Sequence, residues 1–115
     1  MVQSQTLDRS FSALSDSKRR EILDRLGRGP ASISELAAPL DMSLTGLKKH
    51  VRILEDANLV STEKIGRTRQ CRLGPADADG SGRLGPLAEV DDWLASFQRA
   101  WSERYDRLDE YLREP

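Results

Sequence analysis

The sequence has little of what catalytic and covalently stapled proteins rely on. One cysteine, Cys71, and one histidine, His50, stand among 115 residues. A lone cysteine closes no internal disulfide and builds no all-cysteine zinc site within the chain. There is no glycine-rich phosphate loop and no nucleophile with a base beside it in a recognisable motif, so no catalytic residue is assigned and an enzyme is not expected. No cofactor and no bound metal are expected either. Long hydrophobic runs are also missing, since no window approaches the roughly 18–20 apolar residues of a membrane-spanning helix. The opening MVQSQTLDRS lacks the basic and apolar stretches of a secretory signal. These absences lead to the expectation of a soluble, cytoplasmic protein with no membrane partner.

Apolar residues make up 37% of the chain and charged residues 32%, with a net charge of only −1. Such a composition would border on disorder if the apolar residues were scattered, but they are strongly periodic, which predicts one folded domain over 1–115. The balanced charge conceals an asymmetry. Residues 41–72 hold seven basic and four acidic groups, and residues 81–115 hold five basic and eight acidic. A basic middle suits a polyanion, and an acidic end suggests a different task.

Glycine and proline divide the chain into elements. Leu7, Phe11 and Leu14 recur at helical spacing and predict a helix over about 4–14. Ser15-Asp16-Ser17 can cap a second helix, striped by Ile22, Leu23 and Leu26 and stopped at Gly27 or Gly29. The run Lys18-Arg19-Arg20 falls in its first turn, against the helix dipole, so it is either solvated or selected for a nearby anion. Ser32 and Glu35 fit a capping box for a third helix, which Pro39 is expected to shorten, and Asp41 can take a left-handed turn conformation. Ser43 caps a fourth helix with Leu47, Val51 and Leu54 on its apolar stripe. From Leu59 the texture changes to two period-two runs around Gly66-Arg67, the pattern of a hairpin. A helix-turn-helix followed by a hairpin is a winged helix: mainly α with a small β wing, the helix-turn-helix and wing together spanning 15–73. Residues 74–84 read as a loop to a last helix over 86–113.

The stretches Ala13-Leu-Ser-Asp-Ser-Lys-Arg-Arg, Ile33-Ser-Glu-Leu-Ala, Lys49-His50-Val51 with Leu54 and Ala57-Asn58-Leu59-Val60, and the Gly66-Arg67 wing resemble the ArsR-type family of bacterial transcriptional repressors. The resemblance spans residues 11–73. It implies a homodimer that binds a palindromic double-stranded DNA operator, commonly represses its own gene and often releases DNA on a signal. Where metal-sensing members hold a cysteine motif, this chain has Glu35-Leu36-Ala37-Ala38-Pro39-Leu40, and its last helix has no histidine. Sensing by the usual metal motifs is therefore not expected, because zinc or a softer ion needs three or four such ligands. Cys71 stands where the family often has an aromatic residue. It is expected to pack inward, with a redox or intersubunit thiol as the other reading.

Direct readout needs base-edge contacts from the start of a recognition helix and phosphate contacts to fix register. Ser43, Leu44, Thr45, Lys48, Lys49, His50 and Arg52 are the candidates on the fourth helix. Leu44 or the Thr45 methyl suits a thymine methyl, and Lys48 or Lys49 suits guanine acceptors. Gly46 either allows close approach to DNA or is a tolerated surface glycine. His50 reads as a structural or phosphate-bonding imidazole. Lys64, Arg67 and Arg69 suit the wing, either at the minor groove and phosphates or as a solvated edge.

Leu87, Val90, Leu94, Phe97, Trp101, Tyr105, Leu108 and Leu112 form one stripe along a last helix about 40 Å long. With Leu7 and Phe11 they are expected to form a two-fold dimer interface, because a stripe of that length exceeds what a small winged domain can cover. Its aromatic residues fit interface packing, and a small-molecule effector cleft between subunits is the second reading. The alternative to a DNA-binding regulator is a winged protein-interaction module with weak or no specific DNA binding.

Overall fold

The computed structural model of the protein describes residues 5–75 and 85–113. The part of the expected 74–84 loop beyond residue 75 lies outside the described residues. Helix α1 (Gln5–Leu14) is followed by α2 (Ser17–Leu26), α3 (Ile33–Leu40) and α4 (Leu44–Asp56), and by a long last helix, α5 (Gly85–Arg113). Three strands, β1 (Ala31–Ser32), β2 (Val60–Ile65) and β3 (Thr68–Leu73), form an antiparallel sheet in the order β1-β3-β2.

Local chemistry sets each boundary. Asp16 caps α2 by accepting from the backbone N–H groups of Lys18 and Arg19 at 2.8 and 3.2 Å. Ser32 and Glu35 close the capping box of α3 in both directions. Ser43 caps α4 through the Gly46 N–H. The third helix is short, eight residues, and one strand is added to the expected hairpin. Helix α3 runs through Pro39 to Leu40, because its end is closed by Asp41 at φ 53°, whose N–H reaches the carbonyls of Ala37 and Ala38. The pyrrolidine ring lies exposed on the outer face. The hairpin also gains a third strand that has no periodicity to announce it, with Ala31 opposite Cys71 and Ser32 opposite Gln70. At the far end Gly66 takes φ 63°, the left-handed conformation that a two-residue hairpin turn requires.

Ile22, Leu47, Leu54, Leu59 and Cys71 are completely buried and join α2, α4 and the sheet in one core. Leu87 packs at its margin and Val90 is covered within the chain, so the start of α5 belongs to this body. Beyond it α5 leaves the domain. The radius of gyration is 18.5 Å and the longest extent 71 Å, against about 13 Å expected of a compact chain this size. Among the described residues no helix is long and apolar enough to cross a membrane.

Candidate nucleic-acid interface

At 100° per residue the faces of α4 divide cleanly. Leu47, Val51 and Leu54 are buried. Leu44, Lys48, Arg52 and Glu55 lie on the flank toward the wing, Thr45 and Lys49 face outward, and His50 occupies the opposite flank. Nine of the ten residues anticipated for DNA are exposed, and His50 is partly buried.

The structure brings Leu44 and Lys48 of α4 together with Arg67 and Arg69 of the wing around a groove of about 230 Å³. Ser32, Ile33, Ser34 and Thr68 complete its lining. A second hollow of about 360 Å³ continues along α4 between Lys48, Arg52, Glu55, Thr62 and Arg69. Lys64 is the cross-strand partner of Arg69, which adds a further cation to the same face of the hairpin. Ser34 and Thr68 escaped sequence reasoning, because neither is charged or periodic and only the fold sets them beside Lys48.

His50 is drawn away from that groove. The Arg19 guanidinium, which can only donate, lies 3.2 Å from His50 Nδ1, so the neutral ring accepts there and holds its proton on Nε2. Arg19 also donates to the carbonyls of Ala13 and Ser12 at 2.7 and 3.2 Å, while Arg20 donates to Leu14 at 2.6 Å. Lys18 reaches the Leu40 carbonyl at 3.0 Å. The basic run is thus neither simply solvated nor committed to an external anion. It donates to carbonyls at the ends of α1 and α3 and ties both helices to α2. Partial desolvation pushes the Asp16 carboxyl up, but the N–H groups of Arg19 and Lys18, with the nearby Arg19 charge, hold it below its ordinary value.

Gly46 has a local explanation. A Cβ there would stand 3.3 Å from Ser43 Oγ and 3.6 Å from Met42 Cε, crowding the hydroxyl that caps the helix. Cys71 is completely buried, and its thiol is pushed up to about 11 by burial and by the Glu55 charge, against the opposing effect of Arg69. At neutral pH it is a packed, protonated side chain. Among the described residues no three His, Cys, Asp or Glu side chains gather as metal ligands.

Along α5 the aromatic rings form a ladder. Phe11 of α1 meets Trp93 edge-on at 5.5 Å, and Trp93–Phe97, Phe97–Trp101 and Trp101–Tyr105 follow at 5.6, 6.0 and 5.4 Å. Leu7 is partly buried on α1, whereas Leu94, Phe97, Trp101, Tyr105 and Leu108 are 40–60% exposed.

A helix-turn-helix, a basic wing beside its second helix and a projecting terminal helix define a winged helix-turn-helix protein. A helix-turn-helix domain family matches residues 14–63. The HTH-type transcriptional regulator Rv2034 of Mycobacterium tuberculosis is 38% identical over 68 residues, which is 59% of this chain and 64% of that protein. The match therefore spans less than two thirds of that relative's length. The arsenical resistance operon repressor of Bacillus subtilis is 32% identical over 74 residues, covering 64% of this chain and 70% of that one. The crystal structure of an ArsR family transcriptional regulator superposes with a TM-score of 0.71 at 41% identity, covering 85% of this chain and 98% of the other. The chain belongs to the ArsR family of transcriptional regulators.

Proposed function

We propose that the protein is a repressor that binds a two-fold-symmetric operator in its own promoter as a homodimer. The observation that carries this reading is the groove in which Leu44 and Lys48 of the recognition helix face Arg67 and Arg69 of the wing. A major-groove helix supplies base contacts from its first turns, and an adjacent basic hairpin neutralises phosphates. Leu44 and the Thr45 methyl meet thymine methyls, and Lys48 and Lys49 reach guanine acceptors or phosphates. Ser43, Arg52, Lys64, Arg67 and Arg69 fix register on the backbone, and His50 acts through Arg19 to seat α4. The exposed ladder on α5, joined to α1 through Phe11, supplies the dimer contact. Two-fold pairing there would set two recognition helices about 34–36 Å apart, one turn of DNA. Repression, rather than activation, draws support from relatives that are repressors, the arsenical resistance operon repressor among them.

The test is fluorescence anisotropy against the promoter fragment upstream of the gene and a scrambled control, from low to physiological salt. Promoter-selective binding with a steep salt slope is expected, with Lys48→Ala and Arg67→Ala each weakening it by about 1–3 kcal/mol. Equal, weak binding to both fragments, or variants that bind like the parent, would overturn the reading and favour a protein-interaction module.

A further inference from the structure

The wing has an anchor that its cations do not explain. Strand β1 pairs with Cys71 and Gln70 and stops there, so from Arg69 onward the hairpin is two strands joined by Gly66-Arg67. Residues 63–69 are all exposed. A two-stranded hairpin is marginal by itself in water, and the tip is the part a DNA backbone would meet. Where the third strand ends, a directed chain of hydrogen bonds crosses from the sheet to α4. Arg69 Nε donates to Thr62 Oγ1 at 3.1 Å, and the Thr62 hydroxyl donates to Glu55 Oε2 at 2.7 Å.

The chemistry fixes the direction of this chain. Guanidinium has no acceptor and carboxylate has no donor, so a hydroxyl between them must accept from one and give its single proton to the other. A cation at one end and an anion at the other strengthen both bonds. Thr62 stands opposite Cys71 in the register, which places Arg69 on its diagonal and within reach of a long side chain. Arg69 is also the side chain common to the two hollows between α4 and the wing that Lys48 and Ile33 border.

We infer that Thr62 and Glu55 are positioning residues for nucleic-acid binding: they hold Arg69, and through it the wing tip, at a fixed distance from the recognition helix. Arg69 is then preorganised rather than free, with its Nε spent on the tether while its side chain lines the groove. The inference rests on the DNA-binding reading only for its consequence. The tether itself is a property of the protein without DNA.

The experiment uses the full chain and reads the two separately. In the free protein, 15N relaxation of the Gly66 and Arg67 amides reports wing mobility. Thr62→Val keeps the branched shape and removes the hydroxyl, and should lower the tip order parameters from about 0.85 toward 0.6. Thr62→Ser should restore them, because it restores the relay, and Glu55→Ala should reproduce the loosening from the α4 side. With the promoter fragment, Thr62→Val should weaken binding about tenfold, and adding it to Arg69→Ala should cost little more than Arg69→Ala alone. Unchanged tip order parameters in both Thr62→Val and Glu55→Ala would overturn the inference, and so would losses in affinity that simply add. If the parent protein does not select the promoter, the DNA-binding reading falls, and the relaxation measurements alone decide whether the tether exists.

Discussion

The winged body and the projecting half of α5 spend their apolar residues in opposite ways. In the body, Leu47, Val51 and Leu54 of α4 disappear beneath the helix, and what remains outside is mostly polar or basic, with Thr45, Lys48, Lys49 and Arg52 beside the exposed Leu44 and Ile53. Along α5 the order is reversed: from Leu94 to Leu112 the apolar residues themselves are exposed, with Tyr105 at 60% and Leu112 at 70%. Both helices are amphipathic. The difference is that α4 has a sheet and two helices to bury its stripe, while α5 outruns α1 and has nothing of its own to lie on. An exposed cation on one and an exposed tryptophan on the other therefore point to different partners, a polyanion and a second apolar face.

The largest expected effect breaks the self-sufficient side. Leu54→Ala removes a completely buried side chain between α4 and the sheet, and should cost about 2–5 kcal/mol in urea unfolding. A loss below about 1 kcal/mol would mean that Leu54 is not held in a close-packed core. Next, Trp101→Glu places a charge in the middle of the ladder on α5. In sedimentation experiments it should raise the dimer dissociation constant by about 100-fold while leaving the monomer folded. An unchanged dissociation constant would refute the proposed pairing through α5.

Smaller effects sharpen the contrast at the caps. Ser32→Ala opens the capping box of α3 and should cost about 1 kcal/mol. Bonds from the Ser32 backbone and hydroxyl, against slight desolvation and helped by Arg25, hold the Glu35 carboxyl below its ordinary value of 4.5, as the bonds described above hold Asp16 below 3.8. Each group then adds stability that is in place above those ordinary values and is lost as pH falls through the lower folded ones. Thermal midpoints should thus stay level from neutral pH to about 5 and drop below it, with Asp16→Asn and Glu35→Gln flattening the drop. Smallest of all is the response of Cys71. A thiol reagent at neutral pH should label the folded protein only as fast as it opens, because the thiol is buried and pushed up to about 11. Rapid labelling in the absence of denaturant would contradict the packing.

Much of this arrangement is legible in the residues, because local rules decide it. The hydroxyl and carboxylate caps at Asp16, Ser32 and Ser43 stand where short side chains can satisfy the first N–H groups of a helix. The left-handed Asp41 and the Gly66 turn follow from side-chain size in the same way. What escapes is long-range. No pattern in Ala31-Ser32 announces a strand, since two residues have no period and β1 exists only because Cys71 and Gln70 lie beside it. The Lys18-Arg19-Arg20 run looks like a surface feature until the fold brings the last carbonyls of α1 and α3 within its reach. The same holds for Glu55, Thr62 and Arg69, seven residues apart at each step and joined only by a helix packing on a hairpin.

The sequence by itself determined the order of the helices and the wing hairpin, the apolar face of each helix and the cations at the start of α4 and around the wing, because periodicity and capping act within a few residues. Only the tertiary structure decided which of those cations share a groove, which are spent on helix ends, and where the stripe on α5 passes from covered to bare. Those outcomes depend on distances between segments far apart in the chain, and such distances are set by packing.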